Sequence, residues 1–240
     1  MNAIILAAGK GTRMKNSQPK VLIDIEGVPL LKRIVDNIDT KEINKTIVVV
    51  GENGELIQNT LKDKVTYAYQ MIPIGTLDAL VQALPLVDSK EILVMPADIP
   101  YLNKKLIDNV ISYYYQTHCR NLVIGMKLYN PSGYGRMIYK NNTFEIVEEK
   151  NILSTHGKTN VVNTGVYILN VDDIYPYLSI SKKDEITGEY YLTDYINYLS
   201  NKKIINDLIF PETYLLKGAN DQETLKKILI QKNNSFNTIK

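Results

Sequence analysis

The chain has 240 residues, a length sufficient for a large hydrophobic core, and we expect it to form one domain rather than two. Its 28 basic residues nearly balance its 26 acidic residues. Nucleic acids and anionic membranes attract proteins with a clear excess of basic charge, so we expect neither as a partner. The sequence leaves the oligomeric state open.

Cysteine content and the lengths of apolar runs predict where the protein resides. Cys119 is the single cysteine, which suits a reducing compartment, and we expect a free thiol in the core. The apolar residues 3–8 are too few for a signal peptide, and no apolar run reaches the length of a membrane span. We expect a cytoplasmic protein with a domain over residues 1–230 and a polar tail over 231–240.

The first half of the chain alternates between strand and helix patterns. Residues 3–8 form a continuous apolar run, typical of a buried parallel strand. Apolar residues then recur at helical spacing over 30–38, and a β-branched run over 46–50 completes a strand–helix–strand unit. Four further elements are predicted in chain order: a helix over 77–84, a buried strand over 91–95, a helix over 106–111 and a strand over 122–128.

The second half continues the alternation after one exception. Short β-prone segments flank the polar turn at residues 140–142, which predicts a hairpin over 139–147. The remaining elements are a strand over 165–169, helices over 172–178 and 191–199, and a terminal helix through Leu225, Ile228 and Leu229. The predicted fold class is α/β: an open, mostly parallel, Rossmann-like sheet with helices on both faces. Such a sheet binds ligands at the carboxyl ends of its strands.

A glycine-rich loop follows the first strand. Gly9 and Gly11 let backbone N–H groups approach a phosphate or a base, and Arg13 and Lys20 can neutralise a polyanion. Taken alone, the glycines also fit a plain turn and Lys20 fits an ordinary surface lysine. Met14 stands where the dinucleotide-binding fingerprint has glycine, which argues against an oxidoreductase that uses a nicotinamide cofactor.

Two later strands end in polar residues that fit the same ligand. Asp98 follows the strand over 91–95, where a divalent cation and a triphosphate would bind, although an N-cap of the next helix is an equal alternative. Gln70 and Gly75 offer an amide and a backbone N–H that can read the edge of a base. Thr76 also fits a simple N-cap.

Small, acidic and amide residues suited to sugar hydroxyls occur in residues 134–136, 146–150 and 162–165, each of which also fits a turn or a charged loop. His118 and His156 lack partners at metal-ligand spacing, and we interpret both as structural. The three tyrosines at 113–115 fit the surface and packing of a helix better than a stacking platform for bases, because no basic residues separate them.

In this order, the motifs resemble the sugar-1-phosphate nucleotidyltransferases, most closely the uridyltransferase domain of the bifunctional enzyme that makes UDP-N-acetylglucosamine. The resemblance rests on residues 6–14, 19–22, 134–136, 146–150, 163–165, 188–194 and 218–221. It implies the GT-A-like fold of nucleotide-diphospho-sugar transferases. It also implies UTP and N-acetylglucosamine 1-phosphate as substrates, and Mg²⁺ as cofactor.

The resemblance assigns a role to each motif. It implies that Arg13 and Lys20 are catalytic, holding the triphosphate, and that Asp98 and Asn220 bind the metal. The implied nucleotide-binding residues are Leu6, Ala8, Gly9, Gly11, Gln70, Gly75 and Thr76. Gly135, Glu148 and Asn163 would bind the sugar, and the segment 188–194 would support the pocket structurally.

The chain departs from this pattern at Ile23 and Asp78, where histidine is usual, and at Pro96 and Ala97, where an aromatic residue and glycine are usual. No phosphate or metal group is lost, so the departures bear on the sugar. UTP or dTTP with glucose 1-phosphate stays an alternative, as does a regulatory subunit that binds a nucleotide sugar without turnover. We expect the acetyltransferase β-helix of the bifunctional enzyme to be missing.

Overall fold

The computed structural model describes residues 1–9, 19–52, 54–153, 159–219 and 221–237. The strands in these residues are β1 (Asn2–Leu6), β2 (Asp24–Ile25), β3 (Val28–Pro29), β4 (Lys45–Val50), β5 (Thr66–Tyr69), β6 (Glu91–Pro96), β7 (Leu122–Lys127), β8 (Arg136–Lys140), β9 (Thr143–Val147), β10 (Val161–Asn170) and β11 (Asn206–Phe210). The helices are α1 (Leu30–Asn37), α2 (Gly54–Leu61), α3 (Thr76–Ala83), α4 (Lys104–Gln116), α5 (Ile174–Leu178), α6 (Leu192–Asn201) and α7 (Gln222–Asn237).

One large sheet has the strand order β11-β7-β10-β6-β1-β4-β5. Parallel pairs join β6 to β1, β1 to β4, β4 to β5 and β7 to β11. Only β10 in this series is antiparallel to its neighbours, β6 and β7. The hairpin of β8 and β9 attaches to β10 through β8. The predicted open and mostly parallel sheet is therefore confirmed.

Helices cover both faces of this sheet. Successive side chains along each strand point to opposite faces, so neighbouring residues of one strand belong to different cores. Ile5 of β1 belongs to the core that includes residues of α1, α2, α4 and α7. Ile4, one position earlier, belongs to the core that includes residues of α3, α5 and α6. Both isoleucines are fully buried. The continuous apolar run over 3–8 arises from this burial on both faces.

Most predicted elements are present, and the differences are local. Asn141 and Asn142 both have positive φ angles at the tip of the β8–β9 hairpin, the conformation of a tight two-residue turn. Helix α2, strand β11 and the short β2–β3 pair have no counterpart in the prediction. Helix α7 continues through Asn237 and therefore includes the first residues of the expected polar tail. Cys119 is buried and free, as predicted.

The parallel strands bring several loops to one edge of the sheet. The carboxyl ends of β1, β4, β5 and β6 lead into the residues around Ala8, Gly51, Gln70 and Asp98. Within the described ranges, none of the helices combines the length and the apolar character needed to cross a membrane.

Candidate functional site

Two adjoining cavities, of about 510 and 580 Å³, open at the carboxyl ends of these strands. They share four lining residues, Ala8, Gly9, Gln70 and Pro73. The first is also lined by Ala7, Pro19, Gly51, Glu52, Ile57 and Met71, and the second by Leu6, Gly75, Thr76, Ala79, Pro96 and Glu189. Six of the seven residues that the sequence assigns to nucleotide binding therefore line these cavities. The seventh, Gly11, lies outside the described residues.

A set of hydrogen bonds, here called the amide network, fixes Gln70 between β5 and α3. The side chain is only 4% exposed. Its Nε2 group donates to the carbonyl oxygen of Gly75 at 2.9 Å and to Oδ2 of Asp78 at 2.8 Å. In the sequence, Asp78 stands out only as a departure from the resemblance, at a position where histidine is usual. The structure makes it a direct partner of a residue that lines both cavities.

Gly75 holds a conformation that fits glycine alone. Its φ of +119° lies in a region that L-residues rarely adopt, and an added Cβ would lie 2.2 Å from the carbonyl oxygen of Tyr190. The backbone of Tyr190 closes around this position by donating to Ile74 O at 2.8 Å and accepting from Leu77 N–H at 3.0 Å. Tyr190, in the segment 188–194, thus fixes the loop that carries Gly75.

Thr76 is not the N-cap of α3. Gly75 occupies that position, and the Thr76 hydroxyl accepts the N–H of Leu192 at 2.9 Å. The N-cap alternative is wrong because a residue distant in sequence, at the start of α6, provides the donor. The threonine instead ties the wall of the second cavity to α6.

Lys20 and Asp98, here called the charged pair, form a direct ion pair. Lys20 Nζ donates to Asp98 Oδ2 at 2.9 Å, and the two side chains are 15% and 23% exposed. The surface-lysine alternative is therefore wrong. The N-cap alternative for Asp98 is also wrong, because Asn103 caps α4 by accepting the N–H of Leu106.

The loop before α7 approaches Asp98 closely. Ala219 donates its N–H to the Asp98 carbonyl oxygen at 2.7 Å, and a Cβ on Gly218 would lie 3.3 Å from Asp98 Oδ1. Gly218 N–H donates to the hydroxyl of Tyr134 at 3.1 Å. Burial raises the pKa of the Tyr134 hydroxyl; the hydrogen bond from Gly218 lowers it by less, and the charge of Asp98 raises it further. This hydroxyl is a structural support for the loop that precedes Asn220.

The chemistry of Asp98 fits a hard divalent cation. Its Oδ1 accepts no hydrogen bond from the described residues, so a carboxylate oxygen is available to a metal. The part of the chain that the structure describes contains no group of three or more acidic, histidine or cysteine side chains placed to hold a metal ion. A divalent cation that retains several waters and takes one or two protein ligands would fit such a site. Asn220, the second expected ligand, lies outside the described residues.

The residues predicted to bind the sugar converge at the hairpin. Asn163 donates to the Tyr167 hydroxyl at 2.7 Å, and its N–H donates to Gly135 O at 3.0 Å. A Cβ on Gly135 would lie 3.7 Å from Glu148 Oε2. Glu148 Oε1 accepts the hydroxyl of Thr193 at 2.9 Å. Both Gly135 and Glu148 thus lie within one small region, held by a residue from the segment 188–194.

Some of the residues singled out in the sequence are not among those that the structure describes. Arg13, Asn220 and His156 lie outside the described residues, as Gly11 does. His118 lies after α4 with a positive φ of 51°. Contacts among the candidate site residues also come from Asp78, Tyr190 and Thr193. The aspartate at 78 gave a signal in the sequence because it departs from the resemblance, and Tyr190 and Thr193 lie in the segment 188–194, to which the resemblance gives a supporting role.

Comparison with known proteins places this site in a family. A family model described as the MobA-like NTP transferase domain matches residues 3–148, more than half of the chain. The chain belongs to this family. Membership confirms the resemblance to nucleotidyltransferases drawn from the motifs.

Curated proteins match over nearly the whole chain. The bifunctional protein GlmU of Acetivibrio thermocellus is 33% identical over an alignment of 228 residues that covers 93% of this chain and 50% of that protein. The chain spans about half the length of the curated relatives it matches.

Solved structures share the fold. A UDP-glucose pyrophosphorylase complexed with UDP-glucose has a TM-score of 0.74 at 20% identity and covers 100% of this chain and 99% of that chain. The inositol-1-phosphate CTP transferase from T. maritima has a TM-score of 0.69 at 17% identity, with 95% of each chain covered. These likenesses confirm the predicted nucleotide-diphospho-sugar transferase fold.

Proposed function

We propose that the chain transfers a uridylyl group from UTP to N-acetylglucosamine 1-phosphate and releases pyrophosphate. The observation that carries this proposal is the charged pair, Lys20 with Asp98, at the same sheet edge as the cavities lined by Gln70 and Gly75. A cation, a carboxylate and base-reading groups are the parts that nucleotidyl transfer requires. The motif resemblance and the similarity to bifunctional protein GlmU support the choice of substrates.

The roles follow from where the groups lie. Gln70 and Gly75 would contact the base, with Leu6, Ala8 and Gly9 as the wall beside it. Lys20, together with Arg13, would hold the triphosphate. Magnesium, bound by Asp98 and Asn220, would neutralise phosphate oxygens as charge moves to the leaving group.

The sugar would lie at the hairpin side of the site. Glu148 can accept hydrogen bonds from hydroxyl groups, and its orientation is fixed by Thr193. Asn163 uses its Oδ1 for the N–H of Gly165 at 3.1 Å and its Nδ2 for Tyr167, so its amide is held in one orientation. A sugar that reaches these groups would find them pre-oriented, which lowers the entropic cost of binding.

The proposed chemistry needs no covalent enzyme intermediate. A phosphate oxygen of the sugar 1-phosphate attacks the α-phosphorus of UTP, a new phosphorus–oxygen bond forms, and the bond to the β-phosphate bridge breaks. Pyrophosphate leaves with the bonding electrons. The attacking phosphate carries its own negative charge, so the protein aligns two anions and stabilises the transition state without a general base.

Pyrophosphate release across a panel of nucleoside triphosphates and sugar 1-phosphates, with magnesium, tests this function. We expect the fastest release with UTP and N-acetylglucosamine 1-phosphate. A higher rate with glucose 1-phosphate would replace the proposed sugar but retain the reaction. No release with any pair would exclude the enzymatic function and favour a binding role.

A further inference from the structure

We infer that Asp78 is a positioning residue that determines base specificity. By holding the Gln70 amide in one orientation, it makes the cavity present a hydrogen-bond acceptor and so selects a base with a ring N–H, uracil or thymine, over cytosine. The inference rests on the proposed function, because it takes a nucleotide base as the occupant of these cavities. It adds a residue to which neither the motifs nor the family membership gives a role.

The chemistry of its partners fixes the orientation of the Gln70 amide. The oxygen and nitrogen ends of an amide differ little in shape, so the surrounding hydrogen bonds determine which end lies where. Both groups within reach, the Gly75 carbonyl at 2.9 Å and the Asp78 carboxylate at 2.8 Å, can only accept. Turning the amide over would place its oxygen against two acceptors. The nitrogen must therefore face them, and both of its N–H bonds are used.

The oxygen end of Gln70 is consequently the part open to a ligand. None of the described residues donates to Oε1, this atom retains accessible surface, and Gln70 lines both cavities. Hydrogen bonding of the amide nitrogen to a carboxylate also draws electron density toward Oε1 and strengthens it as an acceptor. Asp78 thus sets both the direction and the strength of this acceptor.

A second group completes a pattern that uracil and thymine match. The Gly75 N–H has no acceptor among the described residues, and Gly75 lines the second cavity beside Gln70. An acceptor next to a donor complements the N–H and the carbonyl oxygen of an imide edge. Cytosine has an unprotonated ring nitrogen in place of that N–H, which would set a lone pair against Oε1. The cost of such a mismatch is a buried polar group without a partner.

Asp78 also has a partner that provides a matched control. Gln82 donates from Nε2 to Asp78 Oδ1 at 3.2 Å, from the next turn of α3. Removing that side chain takes one hydrogen bond from Asp78 but leaves its contact with Gln70 in place. Asp78→Asn, by contrast, changes the contact with Gln70 itself. An asparagine amide can donate to the oxygen of Gln70, so the Gln70 amide can turn over, and only the Gly75 carbonyl still opposes that orientation.

Isothermal titration calorimetry with UTP, CTP and 3-methyl-UTP, in magnesium buffer without a sugar phosphate, tests the inference. We expect the protein to bind UTP roughly 100-fold more tightly than CTP or 3-methyl-UTP, which lacks the ring N–H. Asp78→Asn should reduce the preference for UTP over CTP and the preference for UTP over 3-methyl-UTP, each about tenfold, mainly through weaker UTP binding. These two preferences are the ratios of the affinity for UTP to that for CTP and for 3-methyl-UTP. Gln82→Ala should leave both ratios unchanged.

Unchanged ratios in a folded Asp78→Asn protein would overturn the inference, as would equal binding of UTP and 3-methyl-UTP by the original protein. If Asp78→Asn does not fold, Asp78→Ser serves, since its hydroxyl can also donate to Gln70 and the same loss of discrimination is expected. The outcome is separable from that of the proposed function. Pyrophosphate release with UTP but unchanged ratios would reject only the role of Asp78, and failure of every nucleotide to bind would reject the function itself.

Discussion

The charged pair and the amide network lie at one edge of the sheet but are built differently. Lys20 and Asp98 are 78 positions apart in sequence, whereas Gln70 and Asp78 are 8 apart. Under the proposed function, a triphosphate would compete with Asp98 for Lys20, and a metal ion would compete with Lys20 for Asp98. The hydrogen bonds of the amide network already hold Gln70 in one orientation. We therefore expect the charged pair to rearrange on binding and the amide network to keep its arrangement.

Asp98→Asn is the change with the largest expected effect, because it removes the carboxylate charge proposed to bind the metal and keeps nearly the same shape. Turnover should fall by about three powers of ten. The magnesium concentration for half-maximal turnover should rise, and thermal stability should change little. A magnesium titration of turnover, paired with a melting curve, measures all three quantities.

Asp88→Asn is the matched control for that change. Asp88 also pairs with a lysine, Lys45, but far from the cavities and with a side chain that is 61% exposed. Its substitution should leave the magnesium dependence untouched. A fully active Asp98→Asn protein with an unshifted magnesium midpoint would end the metal-ligand proposal and make the charged pair a structural feature.

Lys20→Ala should lower turnover by roughly two to three powers of ten, the scale expected for loss of one preorganised charge in the transition state. The effect should appear in kcat as well as in the KM for UTP. Lys32→Ala removes a lysine that pairs with Asp36 on the exposed face of α1, and it should change neither constant. Normal kinetics of a folded Lys20→Ala protein would remove Lys20 from the proposed catalytic residues.

Thr193→Val tests the support of the sugar side and has the smallest expected effect. Valine keeps the shape of the side chain, which is 8% exposed, but removes the hydroxyl that donates to Glu148. The KM for the sugar 1-phosphate should rise about tenfold, while the KM for UTP stays the same. Thr193→Ser should restore the original value. Equal increases in both KM values would indicate general distortion instead of a role in holding Glu148.

The sequence predicts the parts of the fold that rest on periodicity. Residues 3–8 and 92–95 are apolar at every position, because both faces of β1 and β6 are covered. Strand β11 escapes prediction because it begins with Asn206 and Asp207 and lies at the edge of the sheet. Its assignment depends on pairing with β7, which local sequence does not encode.

The candidate site also has features that the local sequence predicts and features that depend on tertiary contacts. The position of Asp98 at a strand end follows from the pattern of β6, but its contact with Lys20 depends on how two loops meet. Thr76 illustrates the limit, since the local sequence fits an N-cap and only the tertiary structure brings Leu192 to its hydroxyl. The contacts of Tyr190 and Thr193 have the same origin. Residues adjacent in space but distant in sequence leave no periodic signal.

Incorporation of labelled pyrophosphate into UTP tests most directly whether this site transfers a nucleotidyl group in a single step. The reverse reaction should carry label into UTP when UDP-N-acetylglucosamine and magnesium are present. With UTP and labelled pyrophosphate alone, no exchange should occur, because the proposed reaction has no nucleotidyl-enzyme intermediate. Label entering UTP without any sugar phosphate would contradict direct in-line transfer, and the absence of label with every nucleotide sugar tested would contradict nucleotidyl transfer at this site.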